Sequence, residues 1–254
     1  MNHANLGDVY HYEGDYTRAL ESHQRAANIA RALLAETPDA MTAKRDVVMM
    51  VARVSGDLVE LRRHDEAIRA SQESIALEEA MVKADPQNVQ FQFDLADMYG
   101  NLAASQRETG RLDDALRSIQ HSLQISGSAA AKNPDFVAHR FNYALAFRQL
   151  GLVQRDRGAH AEAIGAFRKG IEIFASLPAD QRDPKQSLAT TADLGHALAD
   201  QARRTGSAEQ RKEARTLLQQ ALDGWQSYQK GAGAKEDLKK EIDAVVSALA
   251  QVAP

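Results

Sequence analysis

The side chains able to do chemistry form no catalytic set. The chain has no cysteine, so it offers no thiol nucleophile and no disulfide. Its eight histidines are scattered, and no two stand four apart around a glutamate, so the zinc-protease helix is absent. Neither a Gly-x-Ser-x-Gly elbow nor a Gly-x-Gly-x-x-Gly turn occurs. Gly231-Ala-Gly-Ala-Lys235 lacks the Gly-Lys-Ser/Thr ending of a phosphate loop and follows no strand, so it reads as a linker. Three arginines do recur: Arg107, Arg155 and Arg203 stand 48 residues apart. A guanidinium fork suits carboxylates and phosphates, and a row of three could grip either. The competing reading is a solvated face, its charges paired with Glu108, Asp156 or acids of neighbouring repeats. The expectation is a binding protein that is not an enzyme and needs no cofactor or metal.

The same step of 48 runs through the apolar residues. Ala19, Ala67, Ala115 and Ala163 form one column, and Leu6, Val54, Leu102 and Leu150 another. Gly7, Ser55, Ala103 and Gly151 are all small, and Pro38, Pro86 and Pro134 punctuate. A fixed period of this kind is the signature of a repeat array. Residues 87–134 show one unit. Asn88 caps a first helix after Asp85-Pro86; Leu95, Met98, Tyr99 and Leu102 recur at the helical spacing; Gly110 ends it. A second stripe, Ala115, Leu116, Ile119, Leu123 and Ile125, makes a second helix before Asn133-Pro134. The small residues belong where the two helices cross, since axes approach to about 8 Å only over small side chains. His23 shares a column with Phe167 and reads as a packing residue; His64 and His160 share the turn position of Tyr16 and Leu112 and read as spacers.

These residues resemble the tetratricopeptide repeat (TPR) family. Leu6-Gly7, Tyr10, Ala19, Ala26 and Pro38 fall in the family's order, and Leu150-Gly151, Ala163 and Phe167 repeat it. The family's repeat is about 34 residues long, and the extra length is expected as roughly two added turns per helix. The resemblance implies an all-α, TPR-like solenoid, a right-handed superhelix of helical hairpins. Repeats are expected at about 1–38, 39–86, 87–134, 135–182 and 183–230, in one array over 1–254, with a capping helix at about 234–251. In the second repeat Arg62 replaces the turn glycine, so that turn is expected to bend differently. The fifth repeat inserts three residues within Ser207–Arg211 before Ala214, Leu218 and Ala221 restore the pattern. Trp225 is expected to pack between the last repeat and the cap, whose apolar face is Leu238, Ile242, Val245 and Leu249. The first helix is short, and the N-terminus reads as cut.

The resemblance also implies a concave groove, lined by the first helix of each repeat, that takes a protein or peptide. Its family positions fall at Asn5, Arg53, Asn101 and Gln149, beside Arg148; at Asp8, Gly56, Ala104, Leu152 and Asp200; and at His11, Val59, Arg107, Arg155 and Arg203. The arginine row suggests an acidic or phosphorylated partner. Chaperone-tail binding is not implied, because Ala4 and Asp8 hold the positions where that subgroup has lysine and asparagine. A net charge of −4 gives no field to draw in nucleic acid or a membrane surface. The longest apolar run, Val47 to Ala52, is too short to span a bilayer, and no signal peptide is seen, so a cytoplasmic protein is expected. Asn5-Leu-Gly-Asp-Val-Tyr10, Gly14-Asp-Tyr-Thr-Arg-Ala-Leu20 and Ala84-Asp-Pro-Gln-Asn88 loosely resemble the repeat regions of bacterial serine/threonine kinases. That implies an interaction scaffold within a larger signalling protein; the alternative is a self-contained sensor of a peptide or small molecule.

Overall fold

A computed structural model of the chain describes residues 3–232 and 238–252. Among them are eleven α-helices and no strand. The helices pair as α1 His3–Tyr12 with α2 Tyr16–Glu36, α3 Met41–Glu60 with α4 His64–Ala84, and α5 Val89–Glu108 with α6 Leu112–Lys132. Next come α7 Val137–Asp156 with α8 His160–Ser176, α9 Pro184–Thr205 with α10 Ala208–Ala232, and finally α11 Lys239–Gln251. The extra length lies in the helices, which from α2 to α7 are 20 or 21 residues long. Among the described residues a 3₁₀ turn, Ala179–Gln181, is added between α8 and α9. The residues group into two compact units, Met1–Ala129 and Ala130–Pro254.

The helix ends follow from the side chains there. Asn88 caps α5 by accepting from Gln90 N at 3.1 Å and Phe91 N at 3.2 Å; Asp183 caps α9 by accepting from Lys185 N at 2.8 Å, with Pro184 at the first helical position. Each hairpin turn of the first four pairs closes with one backbone bond to a carbonyl five residues back: Asp15 to Tyr10, Arg63 to Leu58, Arg111 to Gln106 and Ala159 to Gln154, at 2.8–2.9 Å. This is the Schellman closure, and it needs a left-handed residue. Gly14, Gly110 and Gly158 supply it with φ of 75–79°. Arg62 supplies it with φ of 58°. The second turn therefore bends like the others, contrary to the expectation from its missing glycine, and Arg62 bears the conformational cost that glycine avoids.

Inside each pair the alanine column is sealed from solvent. Ala19, Ala67, Ala115, Ala163 and Ala214 are all fully buried. The first unit holds a core of Leu20, Ala27, Val47, Val51, Val54, Leu58 and Ala67, continued by Ile68, Ile75, Leu95 and Leu102. The second unit's main core runs from Leu152 and Phe167 through Leu194, Leu198 and Leu218 to Trp225, Leu238 and Val245. Trp225 is thus enclosed between α10 and α11. The three inserted residues of the fifth repeat lengthen α10 at its N-terminus, so that Leu218 lies against Gly195. Ala199 holds the periodic position, and Gly195 is one helical turn away from it, as three added helical residues require. α10 continues through Gly231 to Ala232; the linker residues Gly233 and Lys235 lie outside the described residues.

Candidate functional site

The site in the first unit grows from one packing position. On each second helix, His23, Ser71, Ile119 and Phe167 share a column; opposite three of them on the first helices stand Gly7, Ser55 and Gly151. Size is exchanged across the contact. A Cβ on Gly151 would lie 2.4 Å from the Phe167 ring, and a Cβ on Gly7 only 2.3 Å from the His23 ring. Ser55 and Ser71 instead share a hydroxyl hydrogen bond of 2.8 Å. The glycine at position 7 thus lets a large polar ring enter the core, where His23 is 1 % exposed.

A buried imidazole needs partners, and His23 has two. Its Nδ1 donates to Asp57 Oδ2 at 2.6 Å, and its Nε2 lies 3.2 Å from Asp8 Oδ1. Asp57 is fully buried at a position that is Val153 two periods on. Its other oxygen accepts from His11 Nδ1 at 2.7 Å. Arg53 Nε completes the chain by donating to Asp8 at 2.8 Å. Burial works against a charge on His23, but the hydrogen bonds and charges of Asp57 and Asp8 outweigh it and hold the imidazole pKa above its ordinary value. Burial likewise works against the Asp8 carboxylate, but Arg53 and His23 outweigh it and hold its pKa below the usual range.

Two adjoining cavities open beside this network. One, of about 460 Å³, is lined by Asp8, His11, His23, Met49, Ala52, Arg53 and Gly56. The other, of about 380 Å³, lies along α3, α4 and α5 and shares His11, Ala52 and Gly56 with the first. The candidate positions Asp8, His11, Arg53 and Asn101 therefore come together, with Gly56, Val59 and Ala104 between them. Asn101 donates to Asp97 at 3.0 Å. Asn5 is exposed on α1, and half-buried Arg107 lines neither cavity. The second cavity also holds residues outside the expected groove positions: Ser55, Ser71, Ser74, Glu60, Ser105 and Glu108. Glu60 and Glu108 stand one period apart, so the step of 48 already paired them.

In the second unit the remaining candidates lie on α7 and α9, and their charged groups are taken up by neighbours on the same two helices. Arg148 donates to Asp193 at 2.8 Å and to Gln186 at 3.1 Å. Arg155 approaches Asp156 at 3.8 Å, and Arg203 pairs with Asp200 and donates to Gln251 of α11 at 3.1 Å. The Gln149 Oε1 atom is buried without a hydrogen-bond partner. Among these charges sits His196, whose pKa is lowered by burial first and by Arg155, against the pull of Asp193 and Asp200. Among the described residues no group of three or more histidine and acidic side chains is placed to hold a metal ion, and no helix is long and apolar enough to cross a membrane.

Residues 3–35 match the model of the tetratricopeptide repeat. A comparison with curated protein sequences gives no match. Solved structures are similar over most of the chain. BtubC from P. vanneervenii has a TM-score of 0.67 at 16 % identity, covering 93 % of this chain and 82 % of that one. A Podosopora anserina protein assigned as a kinesin light chain, with nearly identical TPR-like repeats, has a TM-score of 0.59 at 18 % identity, covering 90 % and 95 %. The Rap conjugation gene regulator of plasmid pLS20, in complex with the Phr* peptide, has a TM-score of 0.52 at 14 % identity, covering 98 % and 73 %. The fold is all-α and TPR-like.

Proposed function

We propose that this TPR-like chain is a non-catalytic interaction scaffold whose first unit takes a peptide along α1, α3 and α5. The observation that carries the reading is the pair of adjoining cavities that share His11, Ala52 and Gly56. Together they follow three successive first helices, which suits an extended chain. Their polar lining offers hydrogen bonds at several points, and their apolar stretches at Met49, Ala52 and Met98 offer side-chain contacts. The likeness to a Rap regulator that holds a peptide supports the same reading, and with it the alternative of a self-contained peptide sensor. An acidic or phosphorylated partner, which the arginine row suggests, would have to compete with Asp156 and Asp200 for Arg155 and Arg203. The wider setting, a larger cytoplasmic signalling protein of a bacterium such as a serine/threonine kinase, rests on sequence resemblance and is tested by the reading frame around this chain.

The test is a displayed random-peptide library selected on the whole chain, with the selected peptides measured again on Ala52→Trp. Ala52 is exposed and lines both cavities, so an indole there fills the trough without entering the core. Loss of binding supports the reading. Peptides that bind the variant as well as the native chain would overturn it.

A further inference from the structure

We infer that the cavity along α3, α4 and α5 takes a cationic side chain, lysine or arginine, of the bound peptide. This rests on the groove reading above and names the chemistry of its occupant. Two carboxylates line the cavity, Glu60 and Glu108, and no lysine or arginine does. Each is the last residue of its helix, α3 or α5. The partial negative charge of both helix C-termini therefore adds to the carboxylates. Glu60 makes no hydrogen bond or ion pair among the described residues, and Glu108 has only His64 Nδ1 at 3.6 Å, beyond hydrogen-bond reach.

The uncharged lining points the same way. His11, the remaining titratable group on the wall, is held by Asp57. Ser105 is 7 % exposed, lines the cavity and makes no side-chain hydrogen bond among the described residues, so an acceptor waits there. Ala52, Val59, Met98 and Ala104 supply an apolar wall for a methylene stem. A long side chain with an apolar stem and a cationic head matches this sequence of surfaces. A carboxylate or phosphate would meet two carboxylates with no cation on the wall, an arrangement that excludes wrong partners.

The experiment uses two peptide libraries alike except at one fixed position, lysine or arginine in the first, glutamate or phosphoserine in the second. Each is tested on the native chain, on Glu60→Gln with Glu108→Gln, and on Ala52→Trp. Both glutamates are exposed, so their amides leave the core untouched. The expected result is enrichment of the basic library, and binding about tenfold or more weaker on the double amide variant, as for lost charge-assisted bonds. Binding on the native chain should also weaken as salt rises, and the amide variant should lose that dependence. Enrichment of the acidic library, or basic peptides held equally by the amide variant and lost on Ala52→Trp, would overturn the inference and leave the groove reading standing. Peptides held equally by Ala52→Trp would overturn both.

Discussion

Glu78 offers the sharpest stability prediction. It is 1 % exposed on α4, at a position that is Ala30, Ser126 and Phe174 in the other repeats. Its Oε1 atom has no hydrogen-bond partner. Burial first, then the nearby Asp94 carboxylate on α5, pushes its pKa from 4.5 to about 7, and Arg45 on α3 only partly opposes this. Between these two values the folded chain keeps a proton that the unfolded chain has lost. The contribution to stability is therefore fully present below pH 4.5 and is lost as pH rises through about 7. At about 1.4 kcal/mol for each pH unit, the window is worth about 3 kcal/mol. Glu78→Gln keeps the shape and removes the charge. It should be more stable than the native chain at pH 8, by about 1–3 kcal/mol, and lose that advantage near pH 4.5. Urea unfolding followed by circular dichroism at steps from pH 4.5 to 8.5 measures the difference. His23 and Asp97, whose pKa values are also raised, titrate in both proteins and cancel. Stability curves that stay parallel across this range would refute the reasoning.

Ala163→Leu should cost about 1–3 kcal/mol by overpacking a fully buried position where the small-residue column is expected at the helix crossing, and unchanged thermal unfolding would place the crossing elsewhere. Arg62→Gly should raise the unfolding free energy by about 0.5–1 kcal/mol, because its φ of 58° then carries no side-chain penalty; a loss on urea titration would show that the arginine side chain matters more than its backbone. His23→Phe fits the space that Phe167 fills against its glycine but leaves the buried Asp57 with His11 as its one remaining hydrogen-bond partner among the described residues, at a cost of about 3–5 kcal/mol. Adding Asp57→Val recreates the Phe167 and Val153 combination and should recover most of that loss; additive losses in the double-mutant cycle would separate the two residues.

The period of 48 made the hairpins legible, because a helix pair must present the same small residues at each crossing. Asn88 was legible as a cap for the same local reason. Arg62 was misread: a missing glycine reports a cost, and the closing bond from Arg63 to Leu58 is kept despite it. The three-residue insertion could be located but not its consequence, since only packing shows that Leu218 then meets Gly195. At the candidate site it is the family resemblance that implies Asp8, His11, Arg53 and Asn101 as groove positions. The columns did not name Asp57 as the partner of His23, since a column fixes which face a residue takes and not what stands across from it. The pairing of Glu60 with Glu108 follows from the same step of 48, in the column one residue after Val59 and Arg107.

The central claim is that peptide lies in the trough of the first unit, and a single label tests it most directly. The chain has no cysteine, so Gly56→Cys gives one thiol at a position where a Cβ meets nothing within 4 Å. Gly165→Cys, equally open but on α8, is the control. Each variant carries an environment-sensitive fluorophore and is titrated with a peptide selected on the native chain. The account predicts a saturable emission change at position 56 and none at position 165. A change at 165 alone, or none at 56 while anisotropy shows the peptide bound, would contradict it.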